Sequence, residues 1–159
     1  MKQYSEEAMY EAIEQSKYNL KNDYQAGGPF GAVIVKNGEI ISKAHNTVVE
    51  SCDATAHAEI NAIRKASKKL KTHDLEGCIL YTSAEPCPMC LSAIIWANIK
   101  EVYYANTSDD ADEIGFRDDK IYEYLEGSHK RMLKMHHIKS EEAKEVFDNF
   151  EKIDEREMY

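Results

Sequence analysis

The hydrophobic positions follow helical spacing in some segments and short apolar runs in others, which predicts alternating helices and strands. The first predicted helix covers residues 5–24, and Ser5 can cap its N-terminus. The other predicted helices cover residues 55–71, 86–98 and 118–126, and a segment from about Ser140. The predicted strands cover residues 32–35, 39–42, 78–82, 102–105 and 132–138.

The order of these elements defines the expected fold. Asn37-Gly38 between the first two strands favours a hairpin, because both turn positions require a positive φ. The later strands are separated by helices, so we predict an α/β fold of three α/β/α layers around a mixed five-stranded sheet. No repeat, low-complexity run or linker interrupts the chain, and residues 1–159 are expected to form a single domain.

Composition narrows the possible partners. The 159 residues include 20 basic and 29 acidic side chains, for a net charge of −9. This balance argues against nucleic acid as a partner, although it leaves room for a local basic patch. The N-terminus lacks the pattern of a signal peptide, and no apolar stretch is long enough to span a membrane. We therefore expect a cytoplasmic protein without a membrane partner.

The candidate chemistry lies in two short motifs, His57-Ala58-Glu59 and Pro86-Cys87-Pro88-Met89-Cys90. Their pattern, H-x-E followed by P-C-x-x-C, is the signature of zinc deaminases. Cys87 and Cys90 are three residues apart at a predicted helix start, where the helix dipole favours thiolates. With His57 they provide three ligands for one zinc ion and leave a fourth position for water, which is typical of catalytic zinc.

Glu59 is the candidate proton carrier. It shares a predicted helical face with Ile63, Ala66 and Leu70, and a carboxylate on such an apolar stripe is costly unless it is paired or functional. His57 cannot share that face within a formed helix, so we infer that the helix begins near Thr55 and points end-on at the metal. Glu59 would take the proton of the water, protonate a ring nitrogen and then pass a proton to the leaving amine.

Two simpler interpretations of the motifs compete with a catalytic site. A C-x-x-C pair alone is often a redox pair, and a closed structural zinc site would need a fourth protein ligand. Cys52, Cys78 and His45 are candidates for that ligand, but none has the spacing of a second metal motif. The two motifs together, in this order and with the proline, favour catalytic zinc over both alternatives.

The segment from residue 5 to about 126 resembles the zinc-dependent deaminases of the cytidine deaminase superfamily. Its metal motifs, with Ala58 before Glu59 and Glu85 before Pro86, are similar to the purine branch of bacterial guanine deaminases and tRNA adenosine deaminases. The stretches 27–36 and 109–119 and the terminal Tyr159 resemble guanine deaminases in particular. Ala54 departs from the proline usual there, which should only loosen the loop. This resemblance implies hydrolysis of guanine to xanthine and ammonia.

The same resemblance implies roles for Asp118, Phe30 and Tyr159, and Asn46 is a further candidate because its amide can both donate and accept at a purine edge. Asp118 would accept the two adjacent donors of guanine and assist proton transfer, Asn46 would bind the purine edge, and Phe30 would pack on the ring. Simpler roles are a solvated charge for Asp118, a turn cap for Asn46 and plain core for Phe30. Tyr159 would reach a purine pocket, in a homodimer that exchanges its C-terminal segments. The simpler interpretation is a helix packed on its own subunit with a frayed tip.

Two alternative functions remain at this point. The first is a tRNA adenosine deaminase, for which the basic run at residues 64–71 could bind RNA; a solvated outer helix face also explains that run. The second is a non-catalytic zinc or redox module that uses Cys87 and Cys90.

Overall fold

The computed structural model describes residues 4–21, 23–128 and 130–159. Its helices are α1 (Glu6–Lys21), α2 (Ala58–Leu70), α3 (Pro88–Trp96), α4 (Ser108–Glu113), α5 (Asp119–Glu126) and α6 (Glu141–Glu151). Its strands are β1 (Gly31–Lys36), β2 (Glu39–His45), β3 (Cys78–Ala84) and β4 (Glu101–Asn106). The chain divides into two compact units, of which the first ends at Asp119 and the second comprises Lys120–Tyr159.

The sheet of the first unit is mixed and has the strand order β2-β1-β3-β4. β1 runs antiparallel to both β2 and β3, and β3 runs parallel to β4. The predicted hairpin between β1 and β2 is confirmed, with φ values of 50° at Asn37 and 79° at Gly38. This topology brings the C-terminal end of β3 directly to the second metal motif.

Helices cover both faces of this sheet, as predicted. On one face, Val33, Val35, Ile79 and Tyr81 form a buried cluster with Ala8, Met9 and Ala12 of α1. On the other face, Ile34 and Leu80 pack with buried residues of α2 and α3, including Ala62, Ala66 and Ile94. The alternation of side chains along β1 and β3 thus divides the core into two layers.

The predicted five-stranded sheet is wrong, because the described residues contain four strands and residues 132–138 are irregular. Met132 and Leu133 are adjacent and Ile138 lies three residues after Met135, so the two-residue period of a strand is broken. A strand also requires a hydrogen-bonded neighbour, and no described strand pairs with this segment.

Several helix boundaries differ from those predicted. Pro88, rather than Pro86, takes the first turn of α3, with Cys87 as the N-cap. α2 begins at Ala58 with His57 as the N-cap, three residues after the predicted start near Thr55. α4 was not predicted from the sequence. The predicted helices at 118–126 and from about Ser140 are confirmed as α5 and α6, and Ser140 caps α6.

The second unit exposes most of its large apolar side chains in the single chain. In α6 these are Val146, Phe147 and Phe150, and beyond it Ile153, Met158 and Tyr159. Within the described ranges, no helix combines the length and apolarity that crossing a membrane requires.

Candidate metal centre

Two helix N-termini meet at the predicted metal site. His57 is the N-cap of α2 and Cys87 is the N-cap of α3, and both have extended backbone with φ of −66°. Neither side chain makes the hydrogen bond that usually caps a helix. Both are therefore free to turn toward a shared point in front of the two helices, and Cys90 reaches the same point from the first turn of α3.

The spacing of these three side chains fits tetrahedral zinc. His57 Nδ1, Cys87 Sγ and Cys90 Sγ all lie within 4.8 Å of one another. The imidazole nitrogen is 3.6 Å from the Cys87 sulfur and 3.5 Å from the Cys90 sulfur. Ordinary zinc–sulfur and zinc–nitrogen bonds at a tetrahedral angle separate such ligand atoms by about 3.6 Å. Zinc could therefore bind with little movement of the ligands.

The electrostatic environment favours a thiolate at Cys87. A hydrogen bond from Cys90 lowers the pKa of Cys87 to about 4, and His57 acts in the same direction. The same hydrogen bond and burial raise the pKa of Cys90, so one proton is shared within the pair. A bound divalent cation would replace that proton, because zinc takes cysteine as the thiolate.

Glu59 lies in the first turn of α2, beside the metal ligands, and its side chain is only 6% exposed. Burial raises the pKa of its carboxyl group, although contact with Cys90 opposes the shift. A raised pKa suits a group that must both accept and donate a proton near neutral pH. The predicted apolar stripe is also present, because Ala66 is buried and Ile63 and Leu70 pack against the core.

Asp118 lies after α4, near the end of the acidic stretch at residues 109–119. Burial raises the pKa of its carboxyl group, and the charges of Cys87 and Glu85 add to the effect. Asp118 therefore interacts electrostatically with residues of the second metal motif and of the position just before it. Glu85 also accepts a hydrogen bond of 2.8 Å from the Ser108 amide, which ties the start of α4 to the same motif.

Asn46 follows β2 and is buried. Its Oδ1 accepts a hydrogen bond of 3.1 Å from the Val48 amide, which is the turn-capping contact considered as its simpler role. The next residue, Thr47, donates its amide to Ala56 at 3.0 Å, so the Asn46 loop is bonded to the residue before His57. The side-chain oxygen is engaged by Val48, which leaves the amide NH₂ group as the part of Asn46 available to donate to a base.

Phe30 is half-buried and packs in part against the core under β1. Its ring meets that of Phe116 edge-to-face, with 4.9 Å between the centroids. Phe116 comes from the acidic stretch, so the aromatic pair joins the loop before β1 to the loop that carries Asp118. Sequence reasoning gave Phe116 no role, although its place two residues before Asp118 was a usable signal.

The candidates for a fourth protein ligand are elsewhere. Among the described residues, the group that can hold a metal comprises His57, Cys87 and Cys90. Cys78 is buried in the core, Cys52 is exposed in a turn, and His45 stacks on Tyr18 with 4.1 Å between ring centroids.

Tyr159, the remaining candidate for binding the base, lies in the second unit and is 83% exposed in the single chain.

A sequence model of the cytidine and deoxycytidylate deaminase zinc-binding region matches residues 2–106 of the chain. Because this match covers more than half of the chain, the protein belongs to that zinc-binding deaminase family. The match contains His57, Glu59, Cys87 and Cys90, and the three-ligand group found in the structure is the zinc-binding group of the family.

Individual relatives fall in the purine branch. Guanine deaminase of Bacillus subtilis (strain 168) is 59% identical over 100 residues, which are 63% of this chain and 64% of that protein. The tRNA-specific adenosine deaminase of Aquifex aeolicus is 54% identical over 77 residues, 48% of this chain and 51% of its own. The aligned part of the chain thus spans about half to two-thirds of these curated relatives.

The whole fold is also similar to a solved structure. The crystal structure of guanine deaminase from Bacillus subtilis superposes with a TM-score of 0.91, at 41% identity, over 99% of both chains. The similarity therefore extends through the acidic stretch and the second unit, beyond the part that the family model matches.

Proposed function

We propose that the protein hydrolyses guanine to xanthine and ammonia. The observation that carries this proposal is the buried Glu59 carboxyl group beside an open three-ligand zinc set. A structural zinc site has no need of a nearby buried carboxylate, and a redox pair has no need of His57. The similarity to guanine deaminase across 99% of both chains supports guanine as the base.

His57, Cys87 and Cys90 would hold the zinc ion, which would supply Lewis acidity and lower the pKa of a water molecule to about 7. The Glu59 carboxylate would accept a proton from the attacking water as its oxygen bonds to C2 of guanine. The carboxyl group would then give this proton to a ring nitrogen. The carboxylate would next take the proton of the new C2 hydroxyl group and pass it to the exocyclic amine, so that the C2–N bond breaks, the C2 carbonyl forms and ammonia leaves. Burial of Glu59 keeps these transfers away from bulk solvent.

Asp118, Asn46 and Phe30 are the proposed base-binding residues. Guanine presents N1–H beside its exocyclic amine, and the Asp118 carboxylate can accept from both donors and assist proton transfer. The Asn46 NH₂ group can donate to an acceptor atom on the purine edge, since its oxygen is held by Val48. The edge-to-face pair of Phe30 and Phe116 can provide an apolar surface for the ring.

We further propose a homodimer in which the C-terminal segment completes the site of the partner subunit, with Tyr159 at the purine. The exposure of Phe147, Met158 and Tyr159 supports this, because a segment so apolar gains by packing against another surface. Exchange of identical segments creates no new kind of contact and therefore costs little. A cytoplasmic location stays a prediction from the sequence.

The test is ammonia release by the zinc-loaded protein from a panel of guanine, guanosine, adenine and cytosine, with Glu59→Gln as the inactive control. Release from guanine well above the other bases is expected. A tRNA anticodon stem-loop belongs in the same panel, because relatives named tRNA-specific adenosine deaminase also align. Inosine formation in that RNA without release from guanine would replace this proposal with the RNA-editing alternative.

A further inference from the structure

A buried asparagine joins two loops near the proposed base-binding residues. Asn19 lies in the last turns of α1 and its side chain is 0% exposed. Its Nδ2 donates one hydrogen bond of 2.6 Å to the carbonyl of Gly28 and another of 2.8 Å to the carbonyl of Asn46. The two carbonyls belong to the loop before β1 and the loop after β2.

Asparagine at position 19 is unfavourable for the stability of α1, which points to a role outside the helix. Asparagine is a weak helix former, because its side chain competes with the backbone for hydrogen bonds. Within the part of the chain that the structure describes, its buried Oδ1 has no hydrogen-bond partner. Rotation of the amide would not help, since the oxygen would then face two carbonyl oxygens. The side chain thus keeps the two hydrogen bonds that Nδ2 donates and leaves Oδ1 without a hydrogen bond.

The two loops are bonded to each other around this point. The Asn46 amide donates to Phe30 at 3.1 Å, and the Val49 amide donates to Ala26 at 3.0 Å. Gly27 lies so close to Asn46 that an added Cβ would be 2.1 Å from Oδ1. The Asn46 side chain is therefore restrained by the hydrogen bond from the Val48 amide and by the close approach of Gly27. The Asn46 backbone carbonyl is held by the hydrogen bond from Asn19.

We propose that Asn19 is a positioning residue for the base-binding loops. It fixes the Gly28 and Asn46 carbonyls, and through them the direction of the Asn46 amide and the Phe30 ring, without contacting the base. This inference rests on the proposed function for the identity of the base. Within the described residues, the side-chain hydrogen bonds of Asn19 reach Gly28 and Asn46 rather than a metal ligand, so its effect should fall on base binding rather than on zinc.

Asn19→Ala, in the zinc-loaded full-length protein, tests the proposal. KM for guanine should rise about tenfold with a much smaller change in kcat, because displaced loops weaken binding before chemistry. Zinc content should be unchanged. The matched control is Tyr81→Phe, which removes the 3.0 Å bond from the Ser5 amide at the opposite end of α1 and keeps the buried ring. That variant should lose stability without a change in KM.

Hydrogen exchange gives a readout that does not depend on guanine. The amides of Phe30, Asn46, Val48 and Val49 should exchange about tenfold faster in Asn19→Ala, and those in Tyr81→Phe should not. Asn19→Ser keeps one donor and should give an intermediate rate. It also replaces Asn19→Ala if the alanine variant fails to fold.

The outcomes are distinguishable. Unchanged loop exchange in the folded variants would overturn the positioning role, and so would faster exchange with an unchanged KM. Failure of the wild-type protein to bind guanine would reject the proposed function, while the exchange rates would still decide whether Asn19 holds the loops.

Discussion

His57 and Cys87 occupy the same position in two different helices: each is the N-cap, and their Nδ1 and Sγ atoms are 3.6 Å apart. Two helix N-termini therefore face one point, where their partial positive charges favour thiolates and other anions. The residues that would ordinarily satisfy the helix ends serve here as candidate metal ligands, and the Glu59 carboxyl group lies in the first turn behind them.

Replacement of the buried carboxyl should separate catalysis from metal binding. Glu59→Gln should retain zinc and lose at least about a hundredfold in kcat, because the amide cannot carry the proton. Zinc content by mass spectrometry and ammonia release on the same sample measure both quantities. Loss of zinc together with activity would instead make Glu59 a ligand.

Replacement of a ligand should have the opposite pattern. Cys90→Ala should lose zinc, activity and thermal stability together, because metal binding stabilises only the folded site. Cys52→Ser is the matched control, since Cys52 is an exposed cysteine outside the ligand group. A Cys90→Ala protein with stoichiometric zinc and full turnover would show that the ligand set is wrong.

Substitution of the proposed guanine-binding carboxylate should affect the base and spare the metal. Asp118→Asn leaves one guanine donor unpaired, which costs about 1–3 kcal/mol, or roughly five- to 150-fold in kcat/KM. Asp109→Asn, an exposed change in the same acidic stretch, should leave kcat/KM near that of the wild type. Equal kinetics for the two variants would assign Asp118 to the solvated surface.

The raised pKa of Glu59 predicts how the stability of the metal-free protein depends on pH. Burial raises the folded-state pKa, so between the ordinary value and the raised value the folded state binds more protons than the unfolded state. Stability should therefore fall as pH rises through that window. Cys87 acts in the opposite direction, because its folded pKa of about 4 lies below its ordinary value of 9.0.

Comparison of two proteins isolates the glutamate. Both proteins contain the cysteine pair, so its effect on stability is common to them. After chelator treatment, the melting temperature of Glu59→Gln should exceed that of the wild type by an amount that grows as pH rises. A constant difference from acidic to neutral pH would mean that Glu59 keeps an ordinary pKa.

Removal of the chain end tests the exchanged dimer. Deletion of residues 157–159 spares Arg156, whose guanidinium bonds the carbonyls of Glu151 at 2.7 Å and Ile153 at 2.9 Å. Guanine turnover should fall at least about tenfold, with zinc content and melting temperature unchanged, because these residues bury little in the single chain. Full activity after the deletion would contradict a role for Tyr159.

Mixed dimers test the exchange itself. Co-refolded Glu59→Gln and truncated chains should regain one intact site only if the tail of one subunit completes the site of the other. Each protein refolded alone is the control, and the absence of rescue would place the tail on its own subunit.

The sequence predicted the metal chemistry better than the boundaries of its helices. The ligands were found because their spacing is fixed by coordination, and the Asn37-Gly38 turn because both residues need positive φ. The Pro86 boundary was wrong because Pro88 two residues later is equally suited to a first turn, and only the structure decides between them.

Two other features, helix α4 and the contacts of Asn19, were not predicted from the sequence. α4 was missed because its acidic run is typical of a solvated loop, although Thr107 and Asp110 form a capping box that could have indicated it. The role of Asn19 depends on carbonyls 9 and 27 residues away, and no periodicity along one helix reports such contacts.

The missing side chain at Gly27 limits how the protein can be redesigned. Even alanine there would meet the Asn46 oxygen at 2.1 Å, so a substitution must displace the amide proposed to bind the base. Libraries aimed at a different nucleobase should therefore keep Gly27 constant and vary exposed positions near Phe116, such as Ile114, which is 60% exposed.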